Sequence, residues 1–171
     1  MANLEGHSQA ILDLAWDYIG STYATTSRDK HVRIIDARSN QIVDMINEAH
    51  DGNKSAKVTY CGLLDKICTV GFQKGTSKRF FKIWDPRNTT SALETKELDQ
   101  AAGVVMPFFD TDTNMIYFAG KGEGQVKYYE IGSNVPYVLD CSMYRSNAGA
   151  KGACMIPKRS CGELSSSMLL L

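Results

Sequence analysis

The sequence has no apolar run that approaches the roughly 20 residues needed to span a membrane. Its first residues, MANLEGHSQ, also lack the apolar core of a secretory signal peptide. No excess of one charge is present, because 19 Lys and Arg side chains balance 19 Asp and Glu side chains. A neutral chain gives no electrostatic reason to expect nucleic acid or an anionic membrane as the main partner. We therefore expect a protein of the cytoplasm with no membrane span and no nucleic-acid partner.

Patterns that indicate metal binding or catalysis are also missing. The five cysteines include no C-x-x-C pair, and no His lies at zinc-finger spacing, so we expect reduced thiols. The run DTDTN at 110–114 resembles the start of a calcium loop but lacks the following Gly and the distal Glu. No nucleophile, base and orienting group lie at a spacing that indicates a triad. The sequence predicts no cofactor, no metal and no catalytic residue, and it supports an enzyme only as a third alternative.

A segment that recurs three times is the main positive feature. Each copy joins a β-rich apolar run, a polar turn and a second β-rich run that ends in an acidic residue. The copies span 23–38, 69–87 and 117–131. Their acids, Asp36, Asp85 and Glu130, lie 49 and 45 residues apart, close to the roughly 40–45 residues of a WD-type propeller blade. This spacing predicts a repeat scaffold.

The local patterns agree with blades built from four short strands. A period of two in the apolar residues predicts strands near 12–16, 23–27, 32–36, 42–47, 57–64, 67–72, 80–85, 104–110, 115–120, 126–131, 137–141 and 153–156. No segment keeps a period of 3.6, so helix should be scarce. Propellers typically close with four to eight blades, and 171 residues provide about three to four.

We therefore predict an all-β fold, a partial WD-repeat β-propeller of three to four four-stranded blades, over residues 1–159. The predicted repeats lie near 6–48, 49–98 and 99–140, with the start of another at 141–159. Residues 160–171, rich in Ser and Leu, are predicted to be a low-complexity, disordered tail.

Several polar residues match the hydrogen-bonded chain that satisfies buried polar groups in a WD blade. That chain runs from the His of a Gly-His pair through a Ser and an Asp near a turn to a Trp. In the first unit His7, Ser27 and Asp29 match, and Ile35 takes the place of the Trp; in the second unit the matches are His50 and Trp84. We interpret both histidines as structural members of these networks and not as catalytic bases.

A basic cluster is the local candidate for a surface that binds an acidic partner. It contains Lys74, Lys78, Arg79, Lys82 and Arg87. The alternative interpretation is a solvated loop and strand edge with no partner.

Specific strings, together with the spacing, resemble the coronins, a family of WD-repeat regulators of actin filaments. The resemblance covers about residues 5–159 and rests on ATTSRDK followed by VRIID, WDPR, ELD, PFFD with DTN, GKGEG, YEI and PKR. Even the Ile35 substitution is similar to the family's own version of that repeat.

The resemblance implies a part of a seven-bladed ring, namely its middle and later repeats, with the family's oligomerisation coiled coil absent. It implies non-catalytic binding and organisation of actin filaments, with other cytoskeletal proteins as further partners and the cytoskeleton as the location. In the family, a principal actin-binding basic residue lies in the first blades, which have no counterpart in this sequence. The alternative is a general WD-repeat interaction scaffold that does not bind actin.

Overall fold

The computed structural model describes residues 6–52 and 54–156, together with the strand at 168–170. Within these residues the chain forms antiparallel β-sheets and no α-helix. The strands are β1 (Ile11–Trp16), β2 (Thr22–Ser27), β3 (Val32–Asp36), β4 (Ile42–Ile46), β5 (Lys57–Tyr60), β6 (Ile67–Phe72), β7 (Lys78–Trp84), β8 (Glu94–Gln100), β9 (Val105–Asp110), β10 (Met115–Gly120), β11 (Gln125–Ile131), β12 (Val138–Arg145), β13 (Ala153–Met155) and β14 (Met168–Leu170).

Three sheets of four strands follow one another along the chain. Sheet 1 contains β1 to β4, sheet 2 contains β5 to β8 and sheet 3 contains β9 to β12, and each is a simple meander. The first strands of successive sheets contact each other, from β1 to β5, β5 to β9 and β9 to β13. Strands that meet in this way lie at the inner edge of a ring of blades. The predicted all-β partial propeller is therefore confirmed.

The main differences from the predicted strand boundaries concern β5, β8 and β12. The strand predicted over 57–64 ends at Tyr60, and a short 3₁₀ turn at Gly62–Leu64 follows it. β8 was not predicted, because its sequence ETKELDQ is mostly charged and only Leu98 is buried. β8 and β12 also extend beyond residues 98 and 140, the predicted ends of their repeats. In the predicted tail, 168–170 pair with β13 and the remaining residues lie outside the described part of the chain.

The core consists of two layers that fill the spaces between neighbouring sheets. One layer joins sheets 1 and 2 and includes Ile34, Ile46, Val58 and Trp84. The other joins sheets 2 and 3, where the Phe81 ring lies 4.7 Å from Phe118 and 5.0 Å from Tyr129, centroid to centroid. Because sheet 2 is covered on both faces, every residue of β6 is buried.

Alternating strand directions gather the turns at two ends of the sheets. The upper face, as we call it, contains the turns at 28–31, 47–52 with 54–56, 73–77, 101–104, 121–124 and 146–152. The lower face contains the turns at 17–21, 37–41, 61–66, 85–93, 111–114 and 132–137. Loops carried on a rigid scaffold are the usual place for partner contacts.

We expect a large loss of stability when a ring is removed from the aromatic layer between sheets 2 and 3. Phe81→Ala should lower the free energy of unfolding by about 3–5 kcal/mol, because it removes a fully buried ring and leaves a cavity. Val43→Ala is the control, since Val43 is 64% exposed and its loss should stay within about 0.5 kcal/mol. Urea unfolding followed by circular dichroism measures both; equal losses would contradict this account of the core.

Candidate binding surface

One polar network in the core connects His50, Thr69 and Trp84. His50 Nε2 and Thr69 Oγ1 are 3.0 Å apart, and Trp84 Nε1 donates a hydrogen bond of 2.9 Å to the same oxygen. The His50 ring lies against Gly71, where a Cβ atom would approach it to 2.5 Å. The structure thus brings His50 and Trp84 together through Thr69, a residue that the sequence analysis did not identify.

Burial determines the protonation state of this histidine. His50 is 6% exposed, and burial lowers its pKa to about 3 because a charged imidazolium loses its hydration there. The neutral ring is closed off from solvent and serves as a hydrogen-bonding group of the core.

A different network holds the first blade. His7 Nε2 lies 2.8 Å from Thr25 Oγ1, and Arg33 Nη1 lies 2.8 Å from both His7 Nδ1 and an Asp29 carboxylate oxygen. Because arginine can only donate, Nδ1 of His7 accepts and its Nε2 carries the hydrogen that reaches Thr25. Ser27 bonds to backbone groups instead, donating to the Gln9 carbonyl and accepting from the Asp29 N–H.

Sequence reasoning missed the two residues that complete these networks. Thr25 and Thr69 lie at the same position of the second strand in sheets 1 and 2, opposite Arg33 and Lys82 of the third strands. The signal that could have identified them is the spacing from the preceding histidine, which is 18 residues in one sheet and 19 in the other.

Arg79 does not belong to the exposed cationic surface that the sequence predicts. It is 1% exposed, and its guanidinium donates to Asp99 at 2.5 Å and to both carboxylate oxygens of Glu123 at 2.6 and 2.9 Å. A further bond of 2.9 Å reaches the Gly103 carbonyl. These partners come from β8 and from two turns of the upper face, so Arg79 joins sheet 2 to sheet 3.

The other four cations of the predicted cluster are spread over the whole length of β7. Lys74 lies in the upper turn before the strand, and Lys78 begins the strand and pairs with Glu97 at 3.0 Å. Lys82 is half-buried with its Nζ 5.7 Å from the centroid of the Trp84 ring, and burial lowers its pKa. Arg87 lies at the opposite, lower end. Only Lys74 and Lys78 therefore share an exposed patch.

Side chains that could bind a metal ion are dispersed over the described part of the chain. Cys61 and Cys68 are buried, and burial raises the pKa of Cys61 to about 12. No group of three or more His, Cys, Asp or Glu residues that could hold a metal ion occurs among the described residues. The same residues contain no helix long and apolar enough to cross a membrane.

Four-stranded meanders with adjoining first strands and a His–Thr–Trp network define this chain as a set of WD-repeat propeller blades. The crystal structure of the WD40 domain of Toxoplasma gondii coronin is similar, with a TM-score of 0.84 and 30% identity over 92% of this chain and 40% of that chain. A chain of the mitotic checkpoint complex shares the fold alone, with a TM-score of 0.67 and 18% identity over 88% of this chain and 46% of that one. No family model matches the sequence.

Curated relatives narrow the class to one family. Coronin-A of Dictyostelium discoideum is 40% identical over 159 residues, which cover 93% of this chain and 35% of that protein. Human Coronin-2A is 33% identical over 93% of this chain and 30% of its own length, and mouse Coronin-2A is 34% identical over 90% and 29%. The chain belongs to the coronin family, and it spans about a third of the length of these relatives.

The network around Thr69 should contribute measurably to stability. Thr69→Val keeps the shape but leaves Trp84 Nε1 and His50 Nε2 without their shared partner, so the free energy of unfolding should fall by about 1–3 kcal/mol. The control is Thr95→Val on exposed β8, with an expected change within about 0.5 kcal/mol. Urea denaturation at neutral pH measures both variants, and a neutral effect of Thr69→Val would contradict this role.

The lowered pKa of His50 predicts that mild acid destabilises the fold. The unfolded chain protonates this histidine below about pH 6.5, whereas the folded chain resists protonation until the pKa of about 3. The free energy of unfolding should therefore fall by about 2 kcal/mol between pH 7 and pH 5 on account of His50.

His50→Gln keeps a side chain that can hydrogen bond to Thr69 but removes the titration. The variant should lose less stability than the wild type over this pH interval. His7, whose pKa burial also lowers, should contribute to the acid sensitivity that remains in both proteins. Identical pH dependence in wild type and variant would show that His50 does not stay neutral in the fold.

Proposed function

We propose that this chain is part of a coronin-type protein that binds and organises actin filaments, without catalysis, in the cytoplasm and at the cytoskeleton. The observation that carries the proposal is the similarity to coronins over more than nine-tenths of the chain, at up to 40% identity. The blades supply a rigid support for exposed turns, and such turns are the usual elements of protein recognition.

An exposed part of the predicted basic cluster supports a contact at the upper face. Lys74 lies in an exposed turn, and Lys78 follows it with its side chain 41% exposed. Exposed cations of this kind act mainly on the rate and salt dependence of association with an acidic surface. Arg79 contributes indirectly, because it fixes the upper turn that contains Glu123.

The titratable groups with the largest shifts support a role without catalysis. His50, Cys61 and Cys68 have strongly altered pKa values, yet all three are buried in the layers between blades. A catalytic acid, base or nucleophile has to reach its substrate. Burial causes these pKa shifts, and it also keeps the side chains away from any substrate.

A groove at the lower face favours the second candidate, a WD-repeat scaffold that does not bind actin. The groove lies between sheets 1 and 2 and encloses about 330 Å³. Tyr18, Ile19 and Leu63 line it and are 60%, 79% and 67% exposed. Exposed apolar side chains around a groove are typical of a site for another protein.

Co-sedimentation with actin filaments tests the first candidate. Folded wild-type protein should pellet with filaments, and pelleting should weaken as salt increases, because exposed cations make the contact. Lys74→Ala with Lys78→Ala should weaken the apparent affinity by about threefold or more.

The matched control is Arg38→Ala with Arg87→Ala, which removes the same charge from the lower face and should change the affinity less than about twofold. Failure of well-folded wild-type protein to pellet would favour the scaffold candidate. An equal loss of affinity in both variants would show that the turn before β7 is not the contact with actin.

A further inference from the structure

The neutral charge of the chain conceals a difference between its two loop faces. The turns of the upper face contain six basic residues, namely Arg28, Lys30, Lys54, Lys74, Lys121 and Lys151. The turns of the lower face contain four acidic residues, Asp17, Asp65, Asp85 and Asp112, and three basic ones, Arg38, Lys66 and Arg87. The upper turns therefore carry an excess of basic residues that the lower turns lack, although the whole chain carries no net charge.

Acidic groups near the upper face are largely neutralised by arginines and a lysine of the strands. Asp29 pairs with Arg33 at 2.8 Å, and Glu123 pairs with Arg79 at 2.6 Å. Asp99 of β8 pairs with Arg79 and also with a lysine of β11 at 3.1 Å. The remaining acids in the described upper turns, at positions 48 and 51, face six basic side chains, so this face keeps a positive excess.

Part of this excess surrounds a cavity. A hollow of about 510 Å³ lies where the turns after β2, β4 and β8 meet. Its described lining consists of Gln9, Arg28, Lys30, Lys54, Ser55 and Val104. Three of these residues are cations, none is acidic, and Gln9 and Ser55 add neutral hydrogen-bonding groups.

Two of the cations are held in place by the surrounding backbone. Lys30 Nζ donates to the Asp51 carbonyl at 2.8 Å, and Lys54 Nζ donates to the Ala102 carbonyl at 3.3 Å. Lys54 also lies 4.6 Å from the centroid of the Phe72 ring. An ammonium group has three N–H donors, so each lysine keeps donors for a ligand while its position is fixed. Arg28 is exposed and adds a planar guanidinium that can bind a carboxylate through two bonds.

We propose that this cavity is a docking site for an acidic segment of a partner protein, with Asp or Glu side chains bound by Arg28, Lys30 and Lys54. Cations from two separate turns converge on it, and its volume accommodates more than one carboxylate side chain. The described lining contains no aromatic ring, whereas proteins that hold single-stranded nucleic acid stack its bases on such rings.

The described lining of this cavity does not include Lys74 or Lys78, the cations proposed for the actin contact. Its test therefore uses no actin. Fluorescence anisotropy of a fluorescein-labelled hexaglutamate peptide measures binding directly, with labelled hexaglutamine as the uncharged probe. Wild-type protein should bind hexaglutamate and not hexaglutamine, and the affinity should fall with added salt.

Charge reversal at the cavity gives the decisive comparison. Arg28→Glu with Lys54→Glu should weaken hexaglutamate binding by about tenfold or more. Arg38→Glu with Arg87→Glu makes the same change in net charge at the lower face and should alter binding less than about twofold. Because Lys54 also contacts Phe72, Arg28→Glu alone is the second variant; it should show part of the loss with an unchanged urea midpoint.

Three results would overturn the proposal. The first is no binding of hexaglutamate to folded wild-type protein at low ionic strength. The second is an equal loss in the cavity variant and the lower-face variant, which would indicate net charge alone. The third is binding of a labelled oligothymidylate that is as tight as hexaglutamate binding and is weakened by the same substitutions. The cavity would then not select carboxylates.

Discussion

The structure depends on one constraint: a four-stranded sheet has two faces, and each face can be buried only against a neighbouring sheet. Sheet 2 meets this condition on both sides, and all six residues of β6 are buried as a result. The two core layers on either side of it fix the positions of all three sheets. Because turns at both ends take their position from these layers, the geometry of any binding surface on the blades follows from packing in the core.

Buried polar groups determine how precisely the sheets are joined. Apolar layers alone would tolerate small shifts of one sheet against the next, whereas Arg79 requires Asp99, Glu123 and the Gly103 carbonyl at fixed directions. Removing one partner would leave a charge in a site that is 1% exposed. His50, Thr69 and Trp84 hold β6, β7 and the loop before β5 together with neutral groups instead.

The repeat, the sheet count and most strands could be predicted from the sequence because they rest on periodicity within short segments. β6 and β10 match their predicted ranges for this reason. β8 could not be predicted, since an outer strand with one buried residue, Leu98, has no apolar pattern to recognise. Arg79 presented the opposite difficulty: its burial depends on acids 20 and 44 residues away, and nothing near it in the sequence indicates them.

The same reasoning explains why the amino-acid composition does not reveal the positive charge of the candidate binding surface. A net charge of zero is the sum over the whole chain, whereas a partner that binds the turns contacts only one loop face. Antiparallel strands place successive turns at opposite ends of the sheet. The turns before and after β7 therefore belong to different loop faces. Asp29 pairs with Arg33 and Glu123 pairs with Arg79, and these ion pairs neutralise acidic groups near the upper face without changing the net charge of the chain. The charge of a binding surface can therefore be read from the sequence only after each turn is assigned to a loop face and the buried ion pairs are left out of the count.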